Sequence, residues 1–358
     1  MTGVTSADQI VREDLSNLFI NLDVRKTPYL SRLKQGEDLQ NVKLFSWAAE
    51  RYDGRMIAGV PENKDADDFE TDKQDQLYGR SQKFWRRPHV TVEANTINKA
   101  PADFGKYNKQ VVKKTTEQRR DIEQRLLSDL DSRDDDGVGG REFMGLGRFV
   151  NDTTSVGTFG SALTFGDSQT AVPTQYLTPT AQIYVGALYV TTSGIVSDIT
   201  FNEETMNGML QNRFDNLGMS MELSGFVDAV LKRHLTRLER YQKTLTSYTP
   251  ITRVPNQTIG AKDYLMYGAD LLETDFGPID INLVSWLPRN PAGNLSGRGY
   301  FLDMEFMFLR PSGLYLTHQQ QEDKGAGPRG LIQSILGPQY GDPRAHLKVD
   351  PNVINTGT

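Results

Sequence analysis

Between Ala102 and Leu130 the chain carries no proline, and its one glycine, Gly105, sits near the start. Tyr107, Val111, Thr115, Ile122, Leu126 and Leu130 recur at helical spacing. Pro101 to Asp131 is therefore expected to be one helix. At about 1.5 Å per residue it would be a rod roughly 45 Å long. Opposite charges fall one turn apart at Lys113 and Glu117, Arg119 and Glu123, Asp121 and Arg125, and Arg125 and Asp129. Each such pair adds about 0.2–0.5 kcal/mol to an exposed helix. A rod this long, apolar on a narrow stripe only, spans its own domain and leaves much of its surface for partners.

The rest of the chain has to be placed around that rod. Its 358 residues are enough for about two domains. The net charge of −6 argues against a dedicated nucleic-acid reader, which is usually basic. The absence of cysteine excludes disulfides, thiol catalysis and cysteine-ligated metals. The four histidines, His89, His234, His318 and His346, stand at no metal-ligand spacing. No apolar run approaches the ~18 residues of a membrane span. The first residues have neither the basic region nor the apolar core of a signal peptide, so synthesis and assembly are expected in a cytoplasm.

Ahead of the rod, Ala7 to Leu22 places Ile10, Leu15, Leu18, Phe19 and Leu22 on one helical side. Thr27-Pro28 opens a second short helix, with threonine at the cap and proline at the first helical position. Residues 41–97 read as a two-stranded arm: one strand around Val42 to Trp47, another from Phe84 to Val92, and a polar tip from Arg51 to Arg80. From Glu62 to Asp75 that tip carries Glu62, Asp65, Asp67, Asp68, Glu70, Asp72 and Asp75 against Lys64 and Lys73. A two-stranded arm buries little by itself and needs a neighbour; the plainer reading of the tip is a solvated loop.

Behind the rod, Asp131 to Gly140 is an acidic, glycine-rich stop, and 161–196 reads as short strands and loops. Thr200 to Gly218 reads as a helix with a Thr200–Glu203 capping box and a terminating glycine. Met219 to Leu223 suggests a strand and Phe226 to Leu245 a second helix. Two strands are expected around Phe276-Gly277-Pro278. Tyr300, Leu302, Met304, Phe306 and Phe308 alternate as one strand with Asp303 and Glu305 facing away. Leu314 to Leu316, Leu331 to Leu336 and His346 to Val349 follow as further strands, and a loose tail begins after Pro351.

No catalytic constellation emerges. Asp134-Asp135-Asp136-Gly137 resembles part of a calcium loop, but its twelfth position is Phe143 where a glutamate should close the site. Asp275-Phe276-Gly277 matches a kinase triplet by letters, without the glycine-rich and His-Arg-Asp loops that would accompany it, and reads as a hairpin turn. His234 is expected to pack rather than react. Lys232, Arg233, Arg237, Arg240 and Lys243 form a basic helix face, solvated or in contact with a DNA backbone or a neighbour's acids. No catalytic residue, metal ligand or cofactor site is expected.

Two stretches carry a resemblance. Val11-Arg12-Glu13-Asp14-Leu15-Ser16-Asn17, with Asn21 and Lys26-Thr27-Pro28-Tyr29-Leu30-Ser31, resembles the N-terminal pattern of a family of tailed-bacteriophage major capsid proteins, the group typified by the major head protein of phage SU-ten. Tyr29 stands where that pattern usually has phenylalanine. Tyr267 to Ile281, around Thr274-Asp275-Phe276-Gly277, resembles a return strand of the same family. The order of elements fits over nearly the whole chain; 152–198 matches poorly and would be an elaboration.

The resemblance implies an α+β, Hong Kong 97-type phage capsid fold. Residues 1–40 would be the N-terminal arm and 41–97 the extended E-loop. Residues 98–140 with 298–350 would form the P-domain around its spine helix, 141–297 the A-domain, and 351–358 the tail. It implies a shell subunit self-assembling into pentamers and hexamers of an icosahedral tailed-phage head, found in the virion after assembly in the host cytoplasm. Its partners would be copies of itself, a portal protein, a separate scaffolding protein, a decoration protein, and packaged double-stranded DNA contacted non-specifically, with no membrane. An encapsulin-type cellular shell with protein cargo is the second reading, and an enzyme or binding protein with a long insertion the third. In this fold the E-loop crosses an adjacent subunit's spine. The acidic tip (Glu62, Asp65, Asp67, Asp68, Glu70, Asp72) would then meet spine cations Lys106, Lys109, Lys113, Lys114 and Arg120 of a neighbour.

Overall fold

The computed structural model describes residues 27–39, 43–49, 75–92, 106–135, 137–152, 177–191, 194–195, 201–218, 222–235, 271–288, 297–322 and 327–355. In chain order, a short helix Pro28–Arg32 leads to β1 (Lys34–Gln35), β2 (Leu44–Ala49), β3 (Asp75–Arg80) and β4 (Gln82–Arg86). The long helix Lys106–Leu126 and a one-turn helix Leu146–Phe149 follow. Next come β5 (Ile183–Tyr184), β6 (Ala187–Thr191), β7 (Gly194–Ile195), the helix Glu203–Leu217, β8 (Leu223–Val227) and a helix at 229–235. The remaining strands are β9 (Leu271–Thr274), β10 (Gly277–Leu283), β11 (Gly299–Leu302), β12 (Met307–Pro311), β13 (Thr317–Gln321), β14 (Arg329–Tyr340), β15 (Leu347–Val349) and β16 (Asn352–Asn355).

Two larger sheets organise these strands. In the first, of five strands, β14 is central: β4 lies along one side, and β12 and β13 share the other, with β1 beyond β12. The long helix covers one face of this sheet. Its Gln118 donates to the Phe84 carbonyl and to Ser334 Oγ at 3.0 and 3.2 Å. Arg86 grips Asp121 with two 2.7 Å bonds, a bidentate fork that also fixes the helix's rotation. Ile122 and Leu126 are fully buried with Tyr29, Phe143, Phe149, Leu336 and Tyr340. The second sheet, six strands in the order β5-β15-β11-β8-β10-β9, is covered by the 203–217 helix through Met206, Met209 and Leu210. Smaller sheets are β2–β3 and β16-β6-β7.

The rod is shorter than expected. Its helix ends at Leu126, a turn follows, and Leu130 is 46% exposed; residues 101–105 lie outside the described residues. Of the charge pairs expected one turn apart, Glu117 takes Lys114 in place of Lys113, and the others give way to partners on other elements. Asp121 takes Arg86, Arg125 takes Glu142 at 3.1 Å, Asp129 takes Arg298, and Glu123 accepts backbone N–H groups.

Residues 75–80 supply the strand that pairs with β2, six residues against six. The strand expected to do so, Phe84 to Val92, is instead β4 (Gln82–Arg86), which joins the five-stranded sheet. The stretch 300–308 is two strands in different sheets, divided by a 3-10 turn at Met304–Phe306, and Asp303 points inward with 1% exposure. The 298–350 region therefore feeds both sheets. Phe226 and Val227 belong to β8, and the helix after them begins only at 229. Residues 352–355, expected to be loose, pair in parallel with β6. The turn at Asp275-Phe276 joins β9 to β10 as a hairpin, as the sequence implied. The expected helix over 7–22 lies outside the described residues.

The 203–217 helix is capped by Asn202, whose Oδ1 accepts from the Thr205 N–H at 2.8 Å; Thr200, expected to open the capping box, lies outside the described residues. It stops at Gly218, which takes φ +66° in the left-handed region. Nothing lies near the position a Cβ would occupy there, so Gly218→Ala should cost only the backbone term, about 1 kcal/mol. Chemical denaturation should show this as a small shift in midpoint with unchanged slope.

Candidate inter-subunit surface

The long helix presents its cations unevenly. Lys109 and Lys113 are exposed, flanked by Asn108 and by Val112, which is 68% exposed. Lys114 is half-buried and holds Glu117 at 2.7 Å. Arg120 lays its guanidinium over the Trp286 ring, 4.8 Å from the centroid. Arg125 is buried and donates to the Phe143 carbonyl at 2.6 Å and the Asp131 carbonyl at 3.0 Å. Burial pulls its pKa down while Glu142 opposes that pull. So the N-terminal half of the helix keeps an exposed cationic stripe, and the C-terminal half spends its arginines inside the subunit. Lys106 begins the helix. Glu62, Asp65, Asp67, Asp68, Glu70 and Asp72 lie outside the described residues.

The β2–β3 ladder runs from Leu44 opposite Arg80 to Ala49 opposite Asp75. Phe45 and Leu77 anchor its base by burial, and the Phe45 ring lies under the Arg310 guanidinium at 5.6 Å. Among the described residues no third strand joins this ladder.

One exposed face escaped the sequence reading. Lys83, Trp85 and Arg87 alternate on the outer face of β4, with Trp85 54% exposed and Arg87 4.1 Å from its ring. The period-two signal was present, but a strand expected from 84 to 92 hid it. Arg87, just past the end of β4, already lies over one face of the indole.

Asp134 pairs with Arg80 at 2.8 Å, which draws that carboxylate into a protein contact. Backbone donation from Asp135 and the Arg80 contact hold its pKa below the usual carboxylate range. Among the described residues no group of three or more His, Asp or Glu side chains could hold a metal, and no helix is long and apolar enough to cross a membrane. His234 is buried, with Nε2 2.7 Å from the Phe201 carbonyl.

Comparison with solved structures places this architecture. The chain resembles the capsid protein of cyanophage P-SCSP1u over 99% of its own length and 96% of that chain, with a TM-score of 0.56 at 8% identity. It resembles the capsid of cyanophage A-1(L) over 97% and 99%, TM-score 0.56, at 12% identity. The capsid of a native GTA particle matches over 95% of both chains, TM-score 0.53, at 10% identity. Such low identities carry the fold, which is the Hong Kong 97-type. No curated protein matches the sequence. A model of the SU10 major capsid protein family matches residues 1–352. That match favours a phage head over an encapsulin-type compartment. The chain belongs to the SU10 major capsid protein family and is a structural subunit of a phage capsid shell, assembled in the virion from copies of itself.

Proposed function

We propose that copies of this subunit form the pentamers and hexamers of an icosahedral head around double-stranded DNA, with the arm at 41–97 crossing to an adjacent copy. Residues 1–40 act as the N-terminal arm, 98–140 with parts of 298–350 as the P-domain, 141–297 as the A-domain and 351–358 as the tail. A portal protein, a separate scaffold and a decoration protein are the further partners. DNA is touched without sequence preference, since a net negative chain does not grip it tightly.

The observation that carries the crossing arm is the β2–β3 ladder itself. A two-stranded ribbon is marginal alone, and this one leads to a segment with seven acids against two lysines. The exposed stripe of Lys109, Val112 and Lys113 suits that segment of a neighbour. Lys114 is half-buried against Glu117 and Arg120 lies over Trp286, so both contribute less than the exposed lysines. Single exposed ion pairs are worth only about 0–1 kcal/mol, but the closed shell repeats them.

Reversing Lys109 and Lys113 to glutamate tests this. Particle yield at physiological salt, counted by electron microscopy, should fall about tenfold. Lysines at Asp67, Asp68 and Glu70 in the same chain should restore it. Unchanged yield in the first variant, or no rescue in the second, would remove the spine from the contact.

A further inference from the structure

Glu123 lies on the long helix with its side chain fully buried. Its carboxylate accepts the Leu30 N–H at 3.0 Å and the Tyr29 N–H at 3.4 Å. These are the first amides of the Pro28–Arg32 helix, whose own Thr27 supplies no side-chain cap. A residue 93 positions away thus does the capping. The pocket is apolar: Tyr29 packs edge-on to Phe226 with centroids 5.1 Å apart, and its hydroxyl reaches Met307 Sδ at 3.8 Å. No cation stands within ion-pair distance of Glu123 among the described residues, and Arg119, on its own helix, is the one charge that acts on it. Tyr29 is the ionisable group that faces it from the short helix, and Tyr300 and Tyr340 come from the strands beyond. All three phenols are pushed up by burial and stay neutral through the physiological range. The chain then runs outward along β12 through β1, and the first 26 residues precede this point.

We propose that Glu123 is a proton-operated latch for the root of the N-terminal segment: protonated, it holds residues 27–33 in the pocket, and ionised, it lets them leave. A carboxylate ion buried with two N–H donors and no paired cation is a costly arrangement. A carboxylic acid there is not, and it still accepts one bond. Burial accordingly lifts the Glu123 carboxyl from 4.5 to about 7, against the opposing pull of the two N–H donors and Arg119. The docked pKa is raised, so docking takes up a proton. Docking is tightest below about pH 4.5, weakens through the window up to 7, and levels off above it. A gap of that size changes the docking equilibrium by about 300-fold.

Hydrogen exchange of the full-length protein tests the latch. The readout is protection of amides 29–33 relative to amides 332–336 of β14 at the same pH, which cancels the chemical dependence of exchange. In the unmodified chain this ratio should fall by about 100-fold from pH 5 to pH 8. In Glu123→Gln, neutral and nearly isosteric, it should be flat. A flat ratio in the unmodified chain, or an equal fall in both, overturns the proposal. If Glu123→Gln yields no folded protein, the profile of the unmodified chain decides by itself. The latch rests on the arm reading only for its consequence in the shell: particle counts test that reading and exchange ratios test the latch.

Discussion

Replacing Arg213 by methionine should destabilise the subunit by about 3–5 kcal/mol, the usual cost of stranding one member of a buried ion pair. Arg213 sits on the inner face of the 203–217 helix, 3% exposed. Its Nη2 donates to Asp303 Oδ2 at 3.1 Å and its Nε to the Ala345 carbonyl at 2.9 Å. Asp303 follows β11 directly and is more deeply buried still. Without the guanidinium, its carboxylate would keep one strong donor, the Glu305 N–H at 2.9 Å. Burial already pushes the Asp303 pKa up, with the Glu305 N–H and Arg213 resisting. The double variant Arg213→Met, Asp303→Leu should recover most of the loss, because the penalty belongs to the unpaired charge rather than to the missing bond. Thermal unfolding of both variants decides the matter. A single variant as stable as the parent would mean that water reaches Asp303.

Asp129→Ala should cost a similar amount, again about 3–5 kcal/mol. Asp129 lies just past the end of the long helix, ion-paired with Arg298 and accepting from the Tyr300 hydroxyl at 3.3 Å. Lys348, from β15, stands 4.0 Å from Asp129 and 3.7 Å from Asp350, and donates to the Gly147 carbonyl at 2.9 Å. Two acids thus balance two bases at the junction of helix, one-turn helix and six-stranded sheet. Removing Asp129 leaves both cations to Asp350. Gly147→Ala should reproduce the defect without touching a charge, since its Cβ would stand 1.8 Å from Asp129 Oδ1 and 2.5 Å from the Tyr300 hydroxyl. Denaturant midpoints for the two variants should move together. If only Asp129→Ala moves, the close approach at Gly147 relaxes more easily than its contacts imply.

Global stability will conceal the Glu123 latch. His346 is fully buried, and burial, with Arg213 nearby, drives its pKa from 6.5 to about 3. It donates nothing to Asp303: its Nδ1 accepts the Asp303 N–H at 3.2 Å and so must stay neutral. A depressed histidine contributes stability that is full above 6.5 and is lost as pH falls toward 3, at about 1.4 kcal/mol per unit. Glu123 has the opposite sign, gaining as pH falls from 7 to 4.5. The two slopes oppose each other between 4.5 and 6.5, so an unfolding midpoint against pH should be nearly level there. His346→Gln should unmask the glutamate as a rise in midpoint on acidification.

What the sequence disclosed followed from periodicity and punctuation. Helical spacing located the rod, Thr27-Pro28 a helix start, Gly218 a helix end, and the glycine after Asp275-Phe276 a hairpin. The family was legible from Arg12-Glu13-Asp14-Leu15-Ser16 and Thr27-Pro28-Tyr29-Leu30-Ser31. The misreadings share a cause. Tyr300 to Phe308 alternates convincingly, yet Asp303 turns inward because Arg213, ninety residues earlier, is waiting for it. Arg125 and Glu123 looked like surface partners of their own helix and are committed to Phe143 and Leu30 instead. Local spacing reports what a side chain could reach on its own element; it does not report a better offer from elsewhere. The spine cations expected to face a neighbour differ in burial for the same reason: Lys109 and Lys113 are exposed, while Lys114 is half-buried against Glu117 and Arg120 lies over Trp286.

The pairing order of the sheets also bears on how the chain is made. β5 waits for β15, β8 for β11, β6 for β16, and both β1 and β4 for β12 and β14. β1, β4 and β5 therefore lack any strand partner, and β6 and β8 lack one of their two, until residues 299–355 have left the ribosome. Translation at roughly 5–20 residues per second leaves unpaired edges exposed for on the order of ten seconds or more. Contacts this remote in sequence also close slowly. A nascent chain stalled before residue 299 should remain protease-sensitive, and overproduction should depend on the host's chaperones.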